Sequence, residues 1–186
     1  MSKKSMFCWV LVIVIALSSC NNAVKKQQLA KVDSLMAVIA TASAHLNKIN
    51  KDTVTKRFQD YKETNKKVFE HYKEYRNDEN WKYLCAFQEV RKAFKTVSLN
   101  YNTYMNELKT SKKQLEDLKY DVDHKLISKD EFRGFFLIEA QSADRISYKI
   151  NTQVENVLRQ YKNFDTVHPY LLKLIESYPK ESTAKK

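Results

Sequence analysis

The chain nearly lacks the residues that make turns. Its 186 residues contain one glycine and two prolines. Glycine supplies positive φ and proline pre-sets turn geometry, so hairpins and tight turns lean on both. A chain so poor in both holds few turns, and long helices follow. The single glycine, Gly134, cannot form a phosphate-cradling loop or a G-x-S-x-G nucleophile elbow. Cysteine is scarce too, at positions 8, 20 and 85. Acidic residues are outnumbered, 22 against 33 Lys and Arg, giving a formal charge of +11. A charged fraction of 30% with steady apolar spacing fits a helical bundle rather than disorder.

The first residues carry an address. Lys3 and Lys4 form a basic head, followed by an uncharged apolar run from Met6 to Leu17. About twenty apolar residues are needed to span a bilayer, so this run is too short. A basic head, a short apolar stretch and small residues at its end describe a secretory signal. Here the small residues run into a cysteine. Leu17-Ser18-Ser19-Cys20 resembles the lipobox of bacterial lipoproteins, with Ser19 where Gly or Ala is commoner.

The resemblance implies that Cys20 is alkylated with diacylglycerol, that residues 1–19 are cut away, and that the new N-terminus is acylated. Two or more acyl chains anchor stably. Residues 20–28 would then be lipid anchor and polar stalk, 29–178 a helical bundle, and 179–186 a polar basic tail. The implied place is the cell envelope, on the outer membrane facing the periplasm. The formal charge falls to +9, because Lys3 and Lys4 leave with the signal and no carboxylate does. The lipobox resemblance ends near residue 21; the remainder is similar in kind to helical envelope lipoproteins.

From Gln28 to Asn50 the apolar positions Leu29, Val32, Leu35, Met36, Ile39, Leu46 and Ile49 recur at helical spacing. Val54, Phe58, Tyr61, Asn65, Val68, Tyr72 and Tyr75 then alternate steps of four and three, the seam of a left-handed coiled coil. Leu46, Asn50, Val54 and Phe58 are three consecutive steps of four. One long helix is expected here, bent or broken near residues 50–53, with Asp52 or Thr53 as N-cap if it restarts.

The stretch "RNDEN" at 76–80 reads as a turn, with Asp78 as N-cap. The second helix follows to about Leu126 on a seam that includes Leu84, Phe87, Phe94, Val97, Leu108, Leu115 and Val122, weakened at Ser111. Ser128 with Glu131 three residues on is a capping box that starts a third helix. Its stripe includes Phe132, Phe136, Ala143, Ile146, Ile150, Val157 and Phe164, and Phe135, Leu137 and Ile138 are expected to widen the apolar face near its start. Pro169 then permits a short final helix. The expected fold is all-α: an elongated antiparallel three-helix, coiled-coil-like bundle with a short C-terminal helix.

Candidate chemistry fails on spacing. In "DVDHKLISKDEF" at 121–132, no register puts carboxylates at the calcium-loop positions that need them or a glycine at position six. His45, His71, His124 and His168 lie far apart, with no second ligand at helical spacing, so no zinc site is expected. No cofactor and no enzymatic activity are expected. Asn65 and Glu139 sit on the seams. Register control is the first reading, and a buried carboxylate site the sharper one. Cys85 has no intramolecular partner after Cys8 and Cys20 are assigned, and beside Leu84 and Phe87 it reads as a buried, inert thiol.

The leading functional reading is a membrane-anchored, non-enzymatic interaction or scaffold module, held through the lipid on Cys20 and binding an envelope protein. Trp81 and Tyr83 in "ENWKYLCAF" are the candidate anchors, because both bury large area at low entropic cost. The basic charge suits anionic wall polymer or lipid head groups, and secretion argues against nucleic acid. Two alternatives remain. One is a tether to peptidoglycan through the terminal Lys185-Lys186, as in Braun-type lipoproteins. The other is a carrier sheltering a hydrophobic ligand between helices.

Overall fold

A computed structural model describes the backbone of residues 3–70 and 77–177, and side chains from Asn22 on within those ranges, Asp78 excepted. Four helices make up the described chain: α1 (Lys3–Leu46), α2 (Lys51–Glu70), α3 (Asp78–Asp123) and α4 (Lys129–Ser177). The all-α expectation holds. Cys20 lies on the α1 backbone with its side chain outside the described residues, as are Tyr72, Tyr75, Pro179 and the Lys185-Lys186 tail. The expected stalk is helical, and Lys25 within it is already tied to α3.

Each junction is made without glycine. At the end of α1, Lys48 N–H donates to His45 O (3.0 Å) and Ile49 N–H to Leu46 O (3.2 Å), tightening the last turn. Asn50 then caps α2: its Oδ1 accepts from Thr53 N–H at 2.9 Å. The cap is therefore Asn50, not Asp52 or Thr53. Ile49 and Val54 are both buried, the two positions that a hydrophobic staple pairs around an N-cap. The run of four-residue steps thus marks a true break, because a restarted helix resets the seam that a continuous one would carry off the core.

At α3 the cap is Asn77 rather than Asp78, with Asn77 Oδ1 accepting from Asn80 N–H at 2.8 Å. The capping box at α4 is as expected: Glu131 N–H donates to Ser128 Oγ (3.3 Å), and Ser128 N–H donates to Glu131 Oε2 (2.7 Å). The end of α3 is a Schellman-type stop. Leu126 N–H reaches back to Asp121 O (2.8 Å), Lys125 N–H to Val122 O (3.2 Å), and Lys125 holds φ at 56°. Glycine normally takes that position. Here a lysine does, at a cost of about 1–2 kcal/mol for an L-residue in the left-handed region.

The expected short C-terminal helix is absent: α4 runs 49 residues straight past Pro169. Proline in a helix interior costs about 3 kcal/mol. Contacts on both sides offset it. Phe164, Val167 and Leu171 are buried, Thr64 Oγ1 meets His168 Nε2 at 2.9 Å, and the Tyr170 hydroxyl donates to Asn80.

The chain forms two compact units. The first takes residues 1–42 and 107–147, so it is built from α1, the second part of α3 and the first part of α4. Lys25 Nζ meets Asp123 Oδ1 at 2.7 Å and Lys119 Nζ meets Asp33 Oδ1 at 2.6 Å, which sets α1 antiparallel to α3. Its core is Val32, Ile39, Leu115, Leu118, Phe132 and Ile146, with Ser111 buried among them. By length and composition Asn22–Leu46 could cross a membrane. The same segment supplies Val32, Ile39 and Ala42 to this core. The expected widening of the apolar face at Phe135, Leu137 and Ile138 does not occur: they are 49%, 57% and 62% exposed. They lie beside or behind the Phe132–Phe136–Ala143 stripe on the helical wheel, so the bundle cannot enclose them.

The second unit takes residues 43–106 and 148–186. Arg57 pairs with Asp165 (3.0 Å) and Thr64 with His168, so α2 and α4 run parallel. Tyr83 meets Tyr170 and Phe94 meets Tyr161, so α3 runs against α4. Tyr61, Phe87, Phe94, Tyr104 and Phe164 fill the core.

Candidate functional site

The start of α3 turns one aromatic stretch, "ENWKYLCAF", three ways. Leu84 and Phe87, three residues apart, face the core and are 4% and 0% exposed. Tyr83 is half-buried; its ring stacks on Tyr170 with centroids 3.9 Å apart, and Lys82 Nζ lies 5.0 Å from its centroid. Trp81 is 45% exposed and, with Val68, Phe69, Leu84, Cys85 and Gln88, lines a surface groove of about 380 Å³ between the end of α2 and the start of α3. The two candidate anchors are thus separated. Trp81 faces the groove, while Tyr83 is held against α4.

Cys85 is exposed and free, not buried. It stands one residue, about 100° of helix, past the core position Leu84, and that rotation carries it to the groove. Beside it the groove has a polar end. The Tyr61 hydroxyl donates to Gln88 Oε1 at 2.9 Å, and Gln88 Nε2 donates to Asn65 Oδ1 at 2.6 Å. Asn65 therefore joins a hydrogen-bonded network that links α2 to α3. Burial raises the Tyr61 phenol above its ordinary range, with Arg91 opposing, so the hydroxyl stays a donor. Arg91, Lys92 and Lys95 continue along α3 from Gln88 and give the groove a basic flank.

Phe69 and this basic flank escaped the sequence reading. Phe69 follows the seam residue Val68 and looks redundant to it, and three cations spaced one and three apart look like a solvated face. Glu139 is half-buried in the first unit, and burial raises its carboxyl above the ordinary 4.5. Among the described residues, no cluster of three His, Cys, Asp or Glu side chains is placed to hold a metal.

The arrangement can bury an apolar side chain against Trp81 and Phe69 and attract an acidic flank. No known protein-family model, curated protein or solved structure matches the chain.

Proposed function

We propose that this chain is a lipid-anchored envelope protein whose helical body serves as a non-enzymatic interaction module. The lipid sits on Cys20, and the site is the outer membrane facing the periplasm. The partner is another envelope protein that sets an apolar side chain, flanked by carboxylates, into the Trp81–Phe69 groove. The observation that carries this reading is the half-exposed Trp81 in a groove with a basic flank, since aromatic anchors in such pockets dominate binding energy.

Cys20→Ala tests the anchor. The variant is expected to accumulate as a slower-migrating precursor that takes up no labelled fatty acid; normal maturation would refute it. Trp81→Ala tests the site: crosslinked partners are expected to disappear while the melting temperature holds. Tyr83→Ala, which removes the stacking on Tyr170, should lower stability instead. If Trp81→Ala melts early and keeps its partners, the groove is only the edge of the core.

A second reading has one observation in its favour. A groove of about 380 Å³ falls within the range of small-ligand sites, about 300–1,000 Å³. Mass spectrometry of solvent extracts of the purified protein decides it. A stoichiometric lipid that vanishes in Trp81→Ala would make the protein a carrier.

A further inference from the structure

We infer that the outer face of the first unit, at the α3–α4 turn and the first turns of α4, docks on the lipid bilayer surface. The inference rests on the lipid anchor at Cys20 proposed above. Large exposed apolar side chains concentrate here: Tyr120 (56%), Leu126 (62%), Phe135 (49%), Leu137 (57%) and Ile138 (62%) all fall within nineteen residues. On α4, Phe135, Leu137 and Ile138 spread over about 160° of the half turned away from the core, so this outward half carries apolar surface that the unit itself does not cover.

Its place in the unit names the occupant. Lys25, five residues after Cys20, holds both the Asp123 carboxylate (2.7 Å) and the Asp123 carbonyl (2.8 Å) at the end of α3. Val24 lies in a shallow pocket with Phe132 and Arg133 at the start of α4. The α1 backbone is helical from Cys20 to these contacts. Five residues of helix advance only about 7 Å. An acyl chain on Cys20 therefore enters the bilayer close to the turn that carries Leu126.

Charge around the turn is mixed. Exposed Lys125, Lys129 and Arg133 stand among Asp121, Asp123, Asp130 and Glu131. Of these carboxylates, Asp123 is engaged by Lys25, and Glu131 accepts from Ser128 in the cap. Apolar side chains interspersed with Lys and Arg suit a surface that sits about 5–10 Å into the headgroup boundary. The acyl chains would hold the protein, and this face would set its tilt.

The test uses the full chain, processed by the cell and reconstituted into vesicles of phosphatidylethanolamine and phosphatidylglycerol with brominated acyl chains. Tryptophan is placed at Leu126 or Ile138 in a Trp9→Phe, Trp81→Phe background. Lys109→Trp is the control, an exposed site about 20 Å back along α3 from Asp123 at 1.5 Å per residue. Intact mass of each sample reports acylation separately. Tryptophan at 126 and 138 is expected to lose more than about half its emission, since brominated carbons lie at the depth of an interfacial surface, and tryptophan at 109 far less. Equal quenching at all three sites overturns the inference, whatever the mass. Selective quenching in an unacylated protein would uphold the docking face while removing the lipid anchor. Unquenched but blue-shifted emission, with sedimentation at the mass of a dimer, overturns it in favour of a second copy on the same face.

Discussion

The two units share α3 and α4 and fill their cores differently. Around Phe87 the described core is a set of rings: Tyr61 at 4.7 Å, Phe164 at 6.2 Å and His168 at 6.3 Å between centroids. Around Leu115 it is aliphatic, with Phe132 the one buried ring among the described residues of that unit. The ring-filled unit also takes polar groups inside and pairs several of them, Tyr61 with Gln88, Tyr170 with Asn80 and His168 with Thr64, while the Tyr161 hydroxyl is buried without a hydrogen-bond partner among the described residues. Both units carry ion pairs between helices at the rim, and the aliphatic unit leaves Phe135, Leu137 and Ile138 outside. Rings need specific geometry, and buried polar groups need partners. The first kind of core therefore fixes register, and the second buries area with little dictation of alignment.

The largest test of this contrast removes one ring from each unit. Phe87→Ala should cost about 3–5 kcal/mol in denaturant titration, the usual range for a buried phenylalanine. Phe132→Ala, next to one other ring at 5.5 Å, should fall at or below the lower end of that range. Equal losses would mean that ring contacts add nothing beyond area.

Next in size are the turns. Asn50→Ala removes the α2 cap and should cost about 1 kcal/mol. Lys125→Gly should act in the opposite direction. It relieves the residue at φ 56° and is expected to stabilise by about 1 kcal/mol, the left-handed penalty less the extra entropy of an unfolded glycine. If Lys125→Gly destabilises, the turn is held by side-chain contacts rather than tolerated by the backbone.

The smallest effects are in pH, and they have opposite signs in the two units. Burial lowers the His168 imidazole below its ordinary 6.5, against the pull of Asp60 and Asp165. The native state then binds fewer protons than the unfolded chain, so its stability is lost as pH falls through and below 6.5. His168→Gln, which can keep a hydrogen bond to Thr64, should flatten the melting temperature between pH 7 and pH 5.5. Glu139 has a raised carboxyl instead. Its contribution is present below 4.5 and lost as pH rises through the raised value. Glu139→Gln should therefore raise the melting temperature slightly at pH 7. A fall would show the carboxylate to be paired in its charged form.

Much of this fold is written locally. Helical period placed Leu84, Phe87, Phe94, Val97, Ile146, Ile150 and Val157 inward, and all are buried. Ser128 and Glu131 announced their capping box, since both partners lie within one turn of chain. Of the candidate site, Trp81 was legible from its residue type. Its neighbours Val68 and Phe69 were not, because they reach the groove from another helix.

By itself the sequence determined helix and its core stripes, because period and the dearth of glycine act over a few residues at a time. The tertiary structure decided two places where local signals pointed elsewhere, the α2 cap and the passage through Pro169. Pro169 is overruled because Phe164, Val167 and Leu171 are buried on either side of it, while Asn50 wins the cap because Ile49 and Val54 are both drawn into the core. It also decided which apolar residues stay outside. A bundle of helix segments can enclose only the stripe facing its axis, so Phe135, Leu137 and Ile138 remain at the surface whatever their hydrophobicity.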